Sequence, residues 1–193
     1  MKSKKNILLW AFGFLGTLLV YPIDTISDEL DEKRVPEKVI MILFLTIIIA
    51  IIANIIGYVI NEREINIIYI VVFNSVFVSL FAFLVAFVYI IALSILKKDA
   101  LFGDLFFIGT YSLLPAILLN SLVSPLINYF SNMLALYPIV LGVLLSLSIL
   151  MFSIDKIGNI QDHHQRFKLH ICGLSLVIFV VIFVNFEIVN LVF

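Results

Sequence analysis

From Leu105 to Ile154 the chain runs for fifty residues without an Asp, Glu, Lys, Arg or His. A single helix of that length would measure about 75 Å, more than twice a hydrocarbon core of about 30 Å. The run must therefore turn back once. Its polar break, Asn128 to Asn132 (NYFSN), predicts a membrane hairpin with spans over 105–128 and 133–154. Upstream, Pro36 ends any preceding helix and an apolar run over 39–60 predicts the first span, followed by a tight turn at Asn61, Glu62, Arg63 and Glu64. Residues 65–96 are uncharged and would measure about 48 Å as one helix, so this span must tilt, protrude or begin along the interface around Asn66 and Tyr69. KKDALFGD (97–104) then connects into the hairpin. DKIGNIQDHHQRFKLH (155–170) reads as a second hydrophilic loop, and 171–193 as the fifth span.

The predicted fold is an all-α membrane protein: a five-helix transmembrane bundle over 39–193, preceded by an N-terminal interfacial amphipathic segment over 1–38. Within that segment Lys2, Lys4 and Lys5 precede fifteen uncharged, mostly apolar residues (7–21) that stop at Pro22. A signal peptide would need a small-x-small cleavage site, and the nearest match, Thr25-Ile26-Ser27, is poor. A spanning helix would need about twenty residues. A helix lying in the interface, with Trp10 and Tyr21 at headgroup depth, satisfies both objections. The acidic run that follows, including Asp28, Glu29, Asp31 and Glu32, predicts a short solvated helix; its spacing lacks the alternating ligands and the glycine of a calcium loop.

Composition excludes the soluble class. The chain is 63% hydrophobic and 13% charged, with a mean hydropathy of +1.22, against averages of about 45–50% and 25% in globular domains. No short alternating segments suggest a transmembrane barrel. Counting Lys and Arg over five spans puts eleven on the side of the N-terminus and the 97–104 and 155–170 loops, and one, Arg63, on the other. The positive-inside rule then predicts a cytoplasmic N-terminus and an external or lumenal C-terminus. If residues 7–21 also spanned, or were cleaved, this bias would be lost, which favours the interfacial placement. The basic residues sit at helix ends rather than in a patch, so no nucleic-acid partner is expected. The expected partners are the lipid bilayer and either a second copy or another membrane protein.

Candidate chemistry is sparse. Asp162, His163, His164 and His170 are metal-like in type, but H-H-x5-H puts adjacent histidines on different helix faces, and no metal site or cofactor is predicted. Glu187 is the one ionisable residue well inside a span, where burial at the helix centre costs about 2.5 kcal/mol or more. Flanked by Asn185 and Asn190, it is read as lying near the external interface. Ser112, Ser121 and Ser124 have no intramembrane His or Asp to activate them and no nucleophile motif surrounds them, so no catalytic residue is expected. The spans do hold small residues four apart: Ala53 and Gly57, Ser75 and Ser79, Ala82 and Ala86, Ser112 and Ala116, Gly142 and Ser146. Such pairs let helices approach closely, and Asn54, Asn74 and Asn120 can hydrogen-bond across the contacts.

Pro115 and Pro125 share the third span. Each removes a backbone donor, so the carbonyls freed near Tyr111 and Ser121 need partners, with Ser112, Ser124 or a neighbouring helix as candidates. A kinked helix at the bundle's centre follows, with Tyr111, Ser112, Pro115, Asn120 and Pro125 as structural or interaction residues. The stretch DLFFIGTYSLLPAILLNSLVSPL (104–126), third of five spans after a short basic loop, resembles the Tyr-Ser-Leu-x-Pro region of the Yip1 domain family. An N-terminal apolar segment ending in Pro-x-x-x-Ile (Pro22 to Ile26), an acidic helix and five spans with the N-terminus inside are similar to its prokaryotic members and cover nearly the whole chain. Eukaryotic members act with Rab GTPases in trafficking through a long cytosolic N-terminal region; with about 38 residues there, that role is not carried over. The resemblance implies a non-enzymatic membrane organiser or adaptor. A small permease or channel around the kinked third span is the alternative, and a lipid-modifying enzyme stands third.

Overall fold

A computed structural model of the protein describes residues 7–20, 25, 36–62, 66–128, 130, 133–171, 173 and 175. Among these residues the fold is all helical. In chain order the elements are α1 (Ile7–Val20), α2 (Pro36–Ile60), α3 (Ile67–Ile95), α4 (Phe102–Ser112), α5 (Leu114–Leu118), a π-helical turn (Leu119–Val123), α6 (Ser124–Asn128) and α7 (Leu136–Ile157). Helix resumes over 163–171, here α8. Four stretches are long and apolar enough to cross a membrane: α2, α3, the composite Phe102–Asn128 and α7. The predicted fifth span falls almost wholly outside the described residues, as do the acidic run and Glu187.

The helices end for local reasons. Asn66 caps α3, its side chain accepting from the Tyr69 N–H at 3.0 Å, so the long span begins at Ile67 as one α-helix rather than with a separate interfacial start. It closes in a left-handed residue, Lys97 (φ 57°). The Lys98 N–H returns to the Leu93 carbonyl at 2.9 Å and the Lys97 N–H to Ser94 at 3.0 Å, a Schellman closure that satisfies the orphan carbonyls. α7 ends likewise at Asn159 (φ 46°), with the Ile160 N–H on the Asp155 carbonyl at 3.0 Å.

Two boundaries differ from the sequence reading. α7 begins at Leu136, after a turn over 133–135, and continues to Ile157. The 155–170 stretch is therefore mostly helix, interrupted only around Gly158 to Asp162. Polar residues there are accommodated because Asp162 accepts from the His164 N–H at 3.1 Å, opening α8, and because Asp155 meets Arg166 and His170 of α8, as described below.

The composite Phe102–Asn128 packs on α2, α3 and α7. Among the four long apolar stretches, it and α3 are the more buried, at 44% of an 18-residue window each, against 28% for α2 and 33% for α7. Close approach is made at small residues. A Cβ on Gly109 would stand 3.0 Å from the Ala82 Cα, and one on Gly142 would stand 3.1 Å from the Ala116 Cα. Ala82 and Ala86 are fully buried. α1 is a helix, as expected over most of 7–21, but its Ala11 and Phe14 are buried. The Phe14 ring lies 5.5 Å from Phe107 and 5.8 Å from Tyr111, so one face of α1 is inserted against the bundle. Trp10 stacks on Phe14 at 5.6 Å and carries the Lys38 ammonium 4.5 Å over its ring.

Candidate functional site

Breaks in a transmembrane helix release backbone groups that lipid cannot satisfy, so the surroundings of Phe102–Asn128 must do so. The first break is the turn at Leu113, just before Pro115. Beyond it, the Ala116 N–H is donated to the Ser146 hydroxyl of α7 at 3.0 Å. Just before the break, Tyr111 is 1% exposed and its hydroxyl donates to Ser153 Oγ at 2.7 Å, while Ser153 donates to the Ile149 carbonyl at 2.7 Å. Two α7 serines thus grip the chain on either side of the first break. Ser112 is buried and bonds within its own helix, to the Gly109 carbonyl at 3.2 Å; it does not repair the break.

The second break combines the π-helical turn with Pro125. A proline at 125 cannot donate to the Ser121 carbonyl, and Gly57 of α2 sits against that carbonyl: a Cβ there would stand 2.6 Å from the oxygen and 3.3 Å from the Pro125 ring. Beside it lies a polar seam through three helices. Ser121 Oγ donates to Asn54 Oδ1 at 3.2 Å, and Asn54 Nδ2 donates to Asn74 Oδ1 at 2.8 Å. The amides of Asn54 and Asn74 also reach the Ala50 and Ile70 carbonyls at 3.1 and 2.7 Å. Ser124 bonds the Ala135 carbonyl at 3.0 Å and so ties down the hairpin turn. Asn120 is exposed and outside this seam.

A charged cluster closes the other end of the molecule. Asp155 Oδ2 lies 2.8 Å from Arg166 Nε, and Oδ1 lies 2.9 Å from His170 Nε2. Both are close contacts without hydrogen-bond alignment, and the one with Arg166 is an ion pair. Arg166 also donates to the Ile160 carbonyl at 3.1 Å, and Lys98 to the Asn159 carbonyl at 3.2 Å. His163 and His164 are exposed, whereas His170 is turned to Asp155, so the three histidines are not gathered. Among the described residues no three His, Cys, Asp or Glu side chains converge.

Of the residues singled out from sequence, Tyr111, Ser112, Pro115 and Pro125 surround the two breaks, Asn120 faces outward, and Glu187 lies outside the described residues. Asn54 and Asn74 bond across helices as expected. Ser153, Asp155 and Arg166 were not singled out. Ser153 had no signal beyond being a serine in an apolar run; for Asp155 and Arg166 the signal was their opposite charge across a Gly-Asn turn. No family model matches the chain, no curated protein matches it and no solved structure matches it.

Proposed function

We propose that this helical, membrane-protein-like chain is a non-enzymatic membrane organiser or adaptor of the Yip1 type. Its setting would be a prokaryotic cell membrane, with the N-terminus cytoplasmic and the C-terminus external. Its partner would be a second copy or another membrane protein, embedded with it in the bilayer.

The observation that carries this reading is how the polar groups of the broken span are used. Tyr111 with Ser153, Ala116 with Ser146, and Ser121 with Asn54 and Asn74 are joined across helices. A transport or catalytic site keeps polar groups aimed at a substrate; here they fasten helix to helix, which suits a scaffold whose value is its shape.

One feature favours the permease or channel alternative: the π-helical turn and the Asn54–Asn74–Ser121 seam lie side by side, and discontinuous helices with exposed carbonyls are how transporters coordinate solutes. Crosslinking in native membranes, followed by mass spectrometry of what copurifies, separates the two. The organiser should yield one dominant protein crosslink, with capture or detergent stability reduced by Pro115→Ala. Solute uptake by reconstituted protein that disappears in Ser121→Ala would instead establish the permease.

A further inference from the structure

Asn120 stands in the π-helical turn of the broken span, on an exposed face. Among the described residues nothing hydrogen-bonds its side-chain amide. Its backbone is short of a donor as well. In the five-residue register of the turn the Ser124 N–H returns to the Leu119 carbonyl; the next acceptor in that register is the Asn120 carbonyl, whose donor would be residue 125, and Pro125 has no N–H. These groups lie at membrane depth. Asn128 and Asn61 mark a polar rim, their side chains 3.5 Å apart, and Asn120 stands two turns, about 12 Å, further along the helix from Asn128. The stretch Phe102–Asn128 has 27 residues, about 40 Å, so a hydrocarbon layer of about 30 Å centred on it covers residue 120.

We infer that this face pairs with the same face of a second copy of the chain, about a two-fold axis passing beside Asn120. An amide and a carbonyl open to lipid tails are costly, because the tails hold neither donor nor acceptor. The Asn120 amide carries two donors and an acceptor, and its carbonyl is a further acceptor. A two-fold axis sets the donors of one copy against the acceptors of the other, so the patch is complementary to itself. A different membrane protein would need a matching donor and acceptor at the same depth, which a second copy has automatically. Elsewhere in the broken span the polar groups are already engaged, Ser121 with Asn54 and the Ala116 N–H with Ser146, which leaves Asn120 to face outward. The pairing names the partner of the organiser reading and rests on that reading's placement of the chain in a bilayer.

The test uses the full chain in phosphatidylcholine vesicles, with dimers counted by single-molecule photobleaching over a range of protein-to-lipid ratios. The wild type should pass from monomer to dimer as density rises. Asn120→Leu should move the midpoint about tenfold higher in density, with the melting temperature unchanged. Trapping gives a second measurement: in a Cys172→Ser background, oxidised Asn120→Cys should yield a disulfide-linked pair, and Phe83→Cys, exposed on α3, should not. A wild type that stays monomeric at every density, a midpoint that Asn120→Leu leaves in place, or trapping through position 83 and not through 120 would each overturn the pairing. A monomer that still crosslinks to one other membrane protein would end this inference and leave the organiser reading standing, whereas a dimer with solute uptake lost in Ser121→Ala would do the reverse.

Discussion

At the scale of single residues, glycine does different work at different positions, and the difference sets the sign of a substitution. Gly57 is a packing glycine: the atom a Cβ would meet first is a backbone carbonyl, Ser121 O at 2.6 Å, which cannot swing aside like a side chain. Gly13 has nothing within 4 Å of the same position. Gly57→Ala should destabilise the bundle by about 1–3 kcal/mol, because overpacking exceeds the helix-propensity gain. Gly13→Ala should be neutral or stabilising by up to about 1 kcal/mol. Thermal unfolding in detergent reads both, and equal shifts would mean that α2 and the second break do not touch. The small-residue pairs in the sequence foreshadowed this contact without choosing it. Ala53 with Gly57 and Gly142 with Ser146 lie at close crossings, whereas the Ser75 hydroxyl simply returns to the Val71 carbonyl at 2.7 Å.

At the scale of elements, the junction between α7 and α8 depends on a single carboxylate. Asp155 stands between Arg166 and His170, and its side chain is 17% exposed. Asp155→Asn removes the charge that both groups face, while Arg166, 40% exposed on its side chain, recovers part of the loss from water. The expected cost is therefore about 1 kcal/mol, at the lower end for a charged contact. Hydrogen exchange should show faster opening of amides in 163–171 with protection in 136–150 unchanged; undiminished protection in α8 would remove Asp155 from its role. Charge was visible in the chain here, but the pairing was not. Read as a hydrophilic loop, 155–170 hides a Schellman closure and a helix start that only the αL residue Asn159 and the Asp162 cap make explicit.

At the scale of the whole molecule, the arrangement with most consequence is the one in the bilayer. Basic residues in the 97–104 and 155–170 stretches lie at one end of the bundle, where Lys98 already bridges to Asn159. For the five spans expected from sequence, the eleven-to-one count of Lys and Arg would make that end cytoplasmic. A fusion of alkaline phosphatase after Gln161 should be inactive and one at the C-terminus active; the reverse pattern would invert the molecule. Glu187→Gln should leave expression and folding nearly unchanged if the carboxylate is hydrated near the external interface, and proton-driven uptake that this variant loses would argue for a transporter.

The helical character of the chain and its four long apolar helices followed from sequence because the physics is local. A bilayer offers the backbone no hydrogen-bond partners, so uncharged runs of twenty or more residues have little choice but helix. The two prolines likewise announced that the third span would be broken. Tertiary structure decided where the freed polar groups went, since that depends on how each helix is rotated and how deep it sits, and in runs of Ile, Leu, Val and Phe many rotations bury similar area. Ser112 and Ser124 looked like the natural partners for the broken span; instead the Ala116 N–H is donated to Ser146, Ser112 bonds within its own helix and Ser124 holds the Ala135 carbonyl. Phe14 shows the same limit, because an apolar segment too short to span can lie on a membrane or against a protein, and only the Phe107 and Tyr111 rings beside it distinguish the two.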